Sequence, residues 1–137
     1  MLSTYSTPAQ PGSTGTALSF DQNAATVGTA IAHTPDASEV TIQEPGYYLV
    51  SFHGVVAPAS TATLPLNVLI YLTVNGVIQQ GINVSHNFQS AGQTAALSFA
   101  QVIPVTTVPT TLELVGEGGD FLYSGVSLSV YRVSQIT

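Results

Sequence analysis

Charge is almost missing from this sequence. Of 137 residues, one is basic, Arg132, and seven are acidic (Asp21, Asp36, Glu39, Glu44, Glu113, Glu117 and Asp120). That is 6% charged residues, against about 25% in ordinary soluble domains. Lysine is absent. Binding to nucleic acid or to an anionic membrane relies on Lys and Arg to neutralise phosphate, and a lone arginine gives that chemistry almost nothing to work with. Cysteine is absent too, which removes disulfides, thiol nucleophiles and thiolate metal sites, and leaves the redox compartment unspecified. Although 45% of the residues are hydrophobic and the mean hydropathy is +0.36, Thr, Ser, Asn and Gln interrupt every apolar run. No stretch reaches the roughly 18 residues of a transmembrane helix. Met1 to Tyr5 has neither a basic n-region nor an apolar h-region, so no secretory signal is expected.

What is present is apolar and polar but uncharged. Such a chain must solvate its surface through hydroxyls and amides, or cover that surface in subunit contacts. The length suits one domain. For a chain of 14.1 kDa, area scaling gives roughly 6,700 Å² exposed when folded, enough burial for a core without staples. Residues 1–17 (MLSTYSTPAQPGSTGTA) are rich in Ser, Thr, Pro and Gly and lack apolar periodicity, so they are expected to form a flexible linker, with the domain spanning 18–137.

From Leu18 onward, short apolar segments alternate with Gly, Pro, Asn and Asp clusters, the pattern of an antiparallel sandwich or barrel. The clearest strand runs from Leu66 to Val74, where Leu66, Val68, Ile70, Leu72 and Val74 alternate with Asn67, Leu69, Tyr71 and Thr73. Asn75-Gly76 follows, predicting a tight hairpin with positive φ at both residues. Further strands are expected over Gly46 to Val56, Thr94 to Val105, Thr110 to Val115 and Phe121 to Val133, with weaker ones over Leu18 to Phe20, Ala30 to His33, Glu39 to Gln43 and Ile82 to Asn87. Eight to ten strands at roughly this spacing predict an all-β, two-sheet antiparallel jelly-roll sandwich.

Several faces opposite the expected core carry large apolar groups: Tyr47 and Leu49, Leu69 and Tyr71, Tyr131 and Val133. In an isolated protomer these would meet water. Tyrosine suits a subunit interface because it offers apolar area with a polar tip, so Tyr47, Leu49, Leu69, Tyr71 and Tyr131 are candidate interface residues. His53, in mid-strand on the same mixed face as Tyr47, joins them. The alternative is a sandwich in which some strands are covered on both sides by the chain itself.

Five segments together resemble a known family. They are Phe20-Asp21-Gln22-Asn23 with Thr26-Val27-Gly28-Thr29-Ala30; Thr41-Ile42-Gln43-Glu44-Pro45-Gly46-Tyr47-Tyr48; Leu72-Thr73-Val74-Asn75-Gly76-Val77; and Gly125 through Val133 (GVSLSVYRV). In order and spacing they are similar to the C1q and tumour-necrosis-factor-like jelly rolls, and more closely to the C-terminal domain of the BclA-like collagen-like exosporium glycoprotein of spore-forming bacteria, over about residues 18–134. The resemblance implies a compact homotrimer capping a collagen-like filament on the spore surface, driving trimerisation and adhesion, with a host-cell or matrix protein or a glycan as outside partner. No Gly-X-Y repeat is present, so the stalk is implied by analogy alone.

Chemical motifs are few. His33, His53 and His86 stand among many Ser and Thr, but no G-x-S-x-G elbow occurs, and packing or interface roles are favoured over catalysis. No H-x-x-x-H or H-E-x-x-H spacing occurs, although one residue beside a three-fold axis would become three ligands. Gly116-Glu117-Gly118-Gly119-Asp120 lacks the residues of a phosphate or calcium loop and reads as a turn. Because related jelly rolls bind calcium near the trimer apex, Glu117 and Asp120 are the metal candidates. No cofactor is implied. The expected function is therefore a non-enzymatic homotrimeric head domain; the alternative is a ligand-binding head of the same fold, lectin-like or receptor-binding, such as a fibre tip.

Overall fold

The computed structural model describes residues 1–135, and all regular structure among them is β. The strands are β1 (Leu2–Ser6), β2 (Gln10–Gly12), β3 (Thr16–Ala17), β4 (Gln22–Thr26), β5 (Ile31–Ala32), β6 (Val40–Ile42), β7 (Gly46–Pro58), β8 (Leu66–Val74), β9 (Val77–Phe88), β10 (Ala95–Val105), β11 (Thr110–Glu117) and β12 (Phe121–Ser134). They form two antiparallel sheets. The first runs β10-β7-β12-β1-β4, with β2 also on β12; the second runs β5-β6-β11-β8-β9, with β3 on β11.

Alternation along the long strands builds the core between the sheets. From the first sheet come Tyr48, Val50, Phe52 and Val56 of β7 and Tyr123, Val126, Leu128 and Val130 of β12. From the second come Leu66, Val68, Ile70 and Leu72 of β8 and Leu112 and Leu114 of β11. Tyr48 is wholly buried, and its hydroxyl donates to the Glu44 carbonyl at 2.6 Å. The expected hairpin is present, with φ of 51° at Asn75 and 82° at Gly76. The total accessible surface is 6654 Å², matching the roughly 6,700 Å² expected for a folded chain of this mass. What is unusual is the chemistry of that surface, not its extent.

Two expectations are corrected. Residues 1–17 are not a linker, because Leu2–Ser6 pairs with β12 on one side and β4 on the other, inside the first sheet. Leu2, Thr4 and Ser6 point into the interior. Their alternation escapes a hydropathy reading because two of the three are hydroxylated. Thr4 Oγ1 donates to the Leu128 carbonyl at 3.1 Å, and Ser6 joins Asp21 and Gln10 in a network. Gln10 Nε2 also donates to Asp21 Oδ1 at 3.0 Å, and its Oε1 accepts from Ser19 Oγ at 2.9 Å. Leu2–Ser6 is thus part of the domain. The weak strand expected over Leu18 to Phe20 is also absent: both residues are buried but lie between β3 and β4, held by N–H bonds to the Leu114 and Ala37 carbonyls instead of a ladder. Ile136 and Thr137, the last residues of the expected domain, lie outside the described residues.

The register separates two ends of the sandwich. Leu2 pairs with Val130 and Ser134 with Tyr47, so both ends of the described chain lie beside the start of β7. Phe121 pairs with Pro58 and Gly12 with Phe121, placing the turns 13–15, 59–65 and 118–120 at the opposite end.

Candidate functional site: an uncharged sheet face

The outward positions of the first sheet form one continuous surface. At the Tyr47 end, Val102 of β10, Leu49 of β7 and Tyr131 of β12 stand side by side, with Tyr47 and Pro104 as the adjoining pair. The next row is small and flat: Ala100, Ser51, Ser129 and Ser3, with the Ser3 and Ser129 hydroxyls 3.1 Å apart. Beyond it Ser98, His53, Ser127 and Tyr5 align, followed by Ala96, Val55 and Ser124. None of these positions carries an Asp, Glu, Lys or Arg.

Several exposed apolar groups share this face. Tyr47 is 42% exposed, Val102 45%, Tyr131 40% and Val55 38%. The other strand-borne exposed hydrophobics of the second sheet, Val77 and Ile78, flank the hairpin at its edge. The outward face of the second sheet is different in kind. It carries Glu113 and Glu117 on β11 and Asn67, Asn83 and Asn87 on β8 and β9. Desolvating a carboxylate costs far more than desolvating a serine or tyrosine, so the first face is the one suited to burial against another protein.

The six expected interface residues therefore divide. Tyr47, Leu49, His53 and Tyr131 share the uncharged face. Leu69 and Tyr71 lie on the second sheet, where Tyr71 is buried by its neighbours and donates to Glu117 Oε1 at 3.0 Å. Burial pushes the Tyr71 phenol above its ordinary pKa of 10.0, and the Glu117 carboxylate adds to the shift. Val102 and Pro104, which complete the patch, were missed. Both alternate with the core residues Ile103 and Val105, and that was the available signal.

A kink shapes the middle of the face. The β7–β12 register breaks between Ser124 and Ser127, where Gly125 takes φ 55° in a bulge. Val126 is thereby turned inward against β7, and a Cβ on Gly54 would meet Val126 Cγ1 at 2.5 Å. A depression of about 250 Å³ opens beside it, lined in part by His53, Val55, Ser98 and Gly125.

The remaining titratable groups hold structure. His33 sits between Asn23 Oδ1 at 2.5 Å and the Ala37 carbonyl at 2.8 Å. His86 packs edge-on against Phe88, with ring centroids 4.7 Å apart. Glu44 and Arg132 form an ion pair at 3.5 Å beside Tyr48. Burial raises the Tyr48 pKa; the positive Arg132 pulls it back and the Glu44 charge pushes it up. The two metal candidates have separate partners, Glu117 with Tyr71 and Asp120 with Thr61. Among the described residues no three His, Asp or Glu side chains gather.

No protein-family profile and no curated protein matches the chain. Solved structures do. Eiger TNF from S. frugiperda superposes with a TM-score of 0.79 at 10% identity, covering 99% of this chain and 93% of that one. The chain has the TNF-like jelly-roll fold. Murine APRIL follows with a TM-score of 0.63 at 11% identity over 93% of this chain and 96% of its own. The PRD1 vertex protein P5 gives 0.56 at 16% identity over 97% and 96%. At these identities the likeness establishes the fold alone, and the uncharged face must be read from this chain's own residues.

Proposed function

We propose that this chain is a non-enzymatic, homotrimeric jelly-roll head that assembles through the outward face of its first sheet and displays its polar surfaces outside. The observation that carries this reading is the contrast between the two faces: one without charge and bearing Tyr47, Leu49, Val102 and Tyr131, the other with Glu113 and Glu117. Apolar area with polar tips is the composition of interface cores. In the non-enzymatic part of this reading the histidines are structural: His33 is held by Asn23 and the Ala37 carbonyl, and His86 packs on Phe88. The sequence resemblance to the BclA-like exosporium domain supports a place on the bacterial spore surface, with adhesion as the use.

Light scattering after gel filtration tests the assembly. Three chains of 14.1 kDa give a particle of about 42 kDa (3 × 14.1), and a particle of one-chain mass at micromolar concentration refutes the proposal. Immunogold labelling of intact spores of the encoding organism tests the location, and label confined to the cytoplasm refutes that part alone.

A further inference from the structure

At the end of the sandwich opposite Leu2 and Tyr47, two depressions of about 440 and about 260 Å³ meet, and Thr61 and Asp120 line both. Glycines make room for the aromatic ring and the tight turn beneath them. A Cβ on Gly12 or on Gly116 would each meet Phe121 Cζ at 2.4 Å, so the Phe121 ring lies flat beneath the strand ends. Gly118, at φ 109°, brings the 118–120 turn onto β8, where a Cβ would stand 1.7 Å from the Asn67 carbonyl. The larger depression has an apolar wall of Pro11, Gly12 and Ala59 over buried Phe121, and a rim of Ser13, Thr16, Thr61 and Asp120. Thr61 Oγ1 donates to Asp120 Oδ2 at 2.9 Å, and the Ala59 N–H to the Asp120 carbonyl at 3.3 Å. No described residue bonds Asp120 Oδ1.

We infer that this furrow is a binding site for neutral saccharides. An oriented carboxylate with one oxygen free accepts hydrogen bonds from sugar hydroxyls, and charge-assisted bonds of that kind are the strong ones. Of the three rim hydroxyls, Thr61 donates to Asp120 and Ser13 and Thr16 bond each other at 2.7 Å, which leaves one hydroxyl hydrogen to donate and all three oxygens with lone pairs to accept from a polyol. The apolar wall suits the C–H face of a pyranose ring. The larger depression alone falls within the roughly 300–1,000 Å³ of small-ligand sites. Anionic ligands are excluded by charge: Arg132, the one basic side chain, is paired with Glu44 at the far end of β12, leaving Asp120 as the charge in the furrow. The furrow lies at the opposite end from both ends of the described chain and from the Tyr47–Tyr131 patch, and it borders the uncharged face only at Pro11, which pairs with Leu122 of β12. The inference does not rest on the assembly reading.

The test is an array of neutral, sialylated, sulfated and glucosamine-containing oligosaccharides, probed with the intact chain in EDTA. Neutral glycans are expected to bind, and Asp120→Asn and Thr61→Val each to lower the signal at least about tenfold with melting temperature and mass unchanged. Ser85→Glu, on the second sheet, leaves it unaltered. In ¹⁵N spectra of the wild-type chain, the best array binder shifts the amides of Thr61, Gly119 and Asp120 first. No neutral-glycan binding, full binding by Asp120→Asn, a preference for sialylated, sulfated or glucosamine ligands, or shifts centred elsewhere overturns the inference.

Discussion

Replacing Tyr131 with glutamate puts a carboxylate into the row shared with Leu49 and Val102. In the isolated chain the change is mild, because Tyr131 is 40% exposed and its neighbours on the face are uncharged. In a trimer it is severe. A large aromatic side chain carries about 150–250 Å² of area, so 40% exposure leaves about 60–100 Å² to be covered by a partner. At about 25 cal/mol per Å² that is about 1.5–2.5 kcal/mol per protomer, or about 4.5–7.5 kcal/mol over three. With about 1.4 kcal/mol per decade, the trimer dissociation constant rises about 10³–10⁵-fold. Desolvation of the carboxylate adds to this figure. Sedimentation velocity over a hundredfold concentration range reads the result. The wild type is expected to hold its mass, Tyr131→Glu to dissociate while keeping its β-sheet circular dichroism, and Ser85→Glu to behave as wild type. A trimer that tolerates Tyr131→Glu but falls apart with Ser85→Glu would refute the assignment of the face.

Other consequences follow from single contacts. Gly54→Ala drives a methyl into Val126 and is expected to cost about 1–3 kcal/mol by overpacking; combined with Val126→Ala it costs less than the sum of the two single changes, and strict additivity in denaturant titrations would contradict the contact. Leu2→Ala is expected to destabilise by about 2–5 kcal/mol, as for a core leucine, whereas an unchanged melting temperature would restore residues 1–17 to a linker. Alkali is expected to weaken the fold. The Tyr48 phenol keeps its proton in the folded chain at a pH where the unfolded chain, near 10.0, has lost it, so this contribution is complete below pH 10 and is lost as pH rises through the raised value. Tyr48→Phe should flatten the decline above pH 10, and an unaltered slope there would remove Tyr48 as its source. Salt should matter little, because the Arg132–Glu44 pair is 31% and 46% exposed and such pairs contribute about 0–1 kcal/mol. A melting temperature that falls steeply with added salt would contradict this.

Strand identity and strand faces were legible where alternation was strong. Leu66–Val74 was read to the residue, and the Asn75-Gly76 turn with it, because a period of two and a positive-φ pair are local properties of the chain. The scarcity of charge was legible too, but which sheet face it leaves uncharged was not. Other features depended on distant partners. Thr4 and Ser6 are interior residues only because the Leu128 carbonyl and the Asp21 and Gln10 side chains satisfy their hydroxyls, which no propensity registers. Leu69 and Tyr71 looked equivalent to Leu49 and Tyr131, since each pair is an apolar step on a mixed face. Sheet order separates them: β8 lies beside β11 and its glutamates, β7 beside β10 and β12 and their serines and valine. The furrow at Asp120 likewise needs Gly12, Thr61 and Phe121 brought together from three parts of the chain. Alternation sets which residues share a face of one strand, and only the pairing of strands decides which faces become one surface.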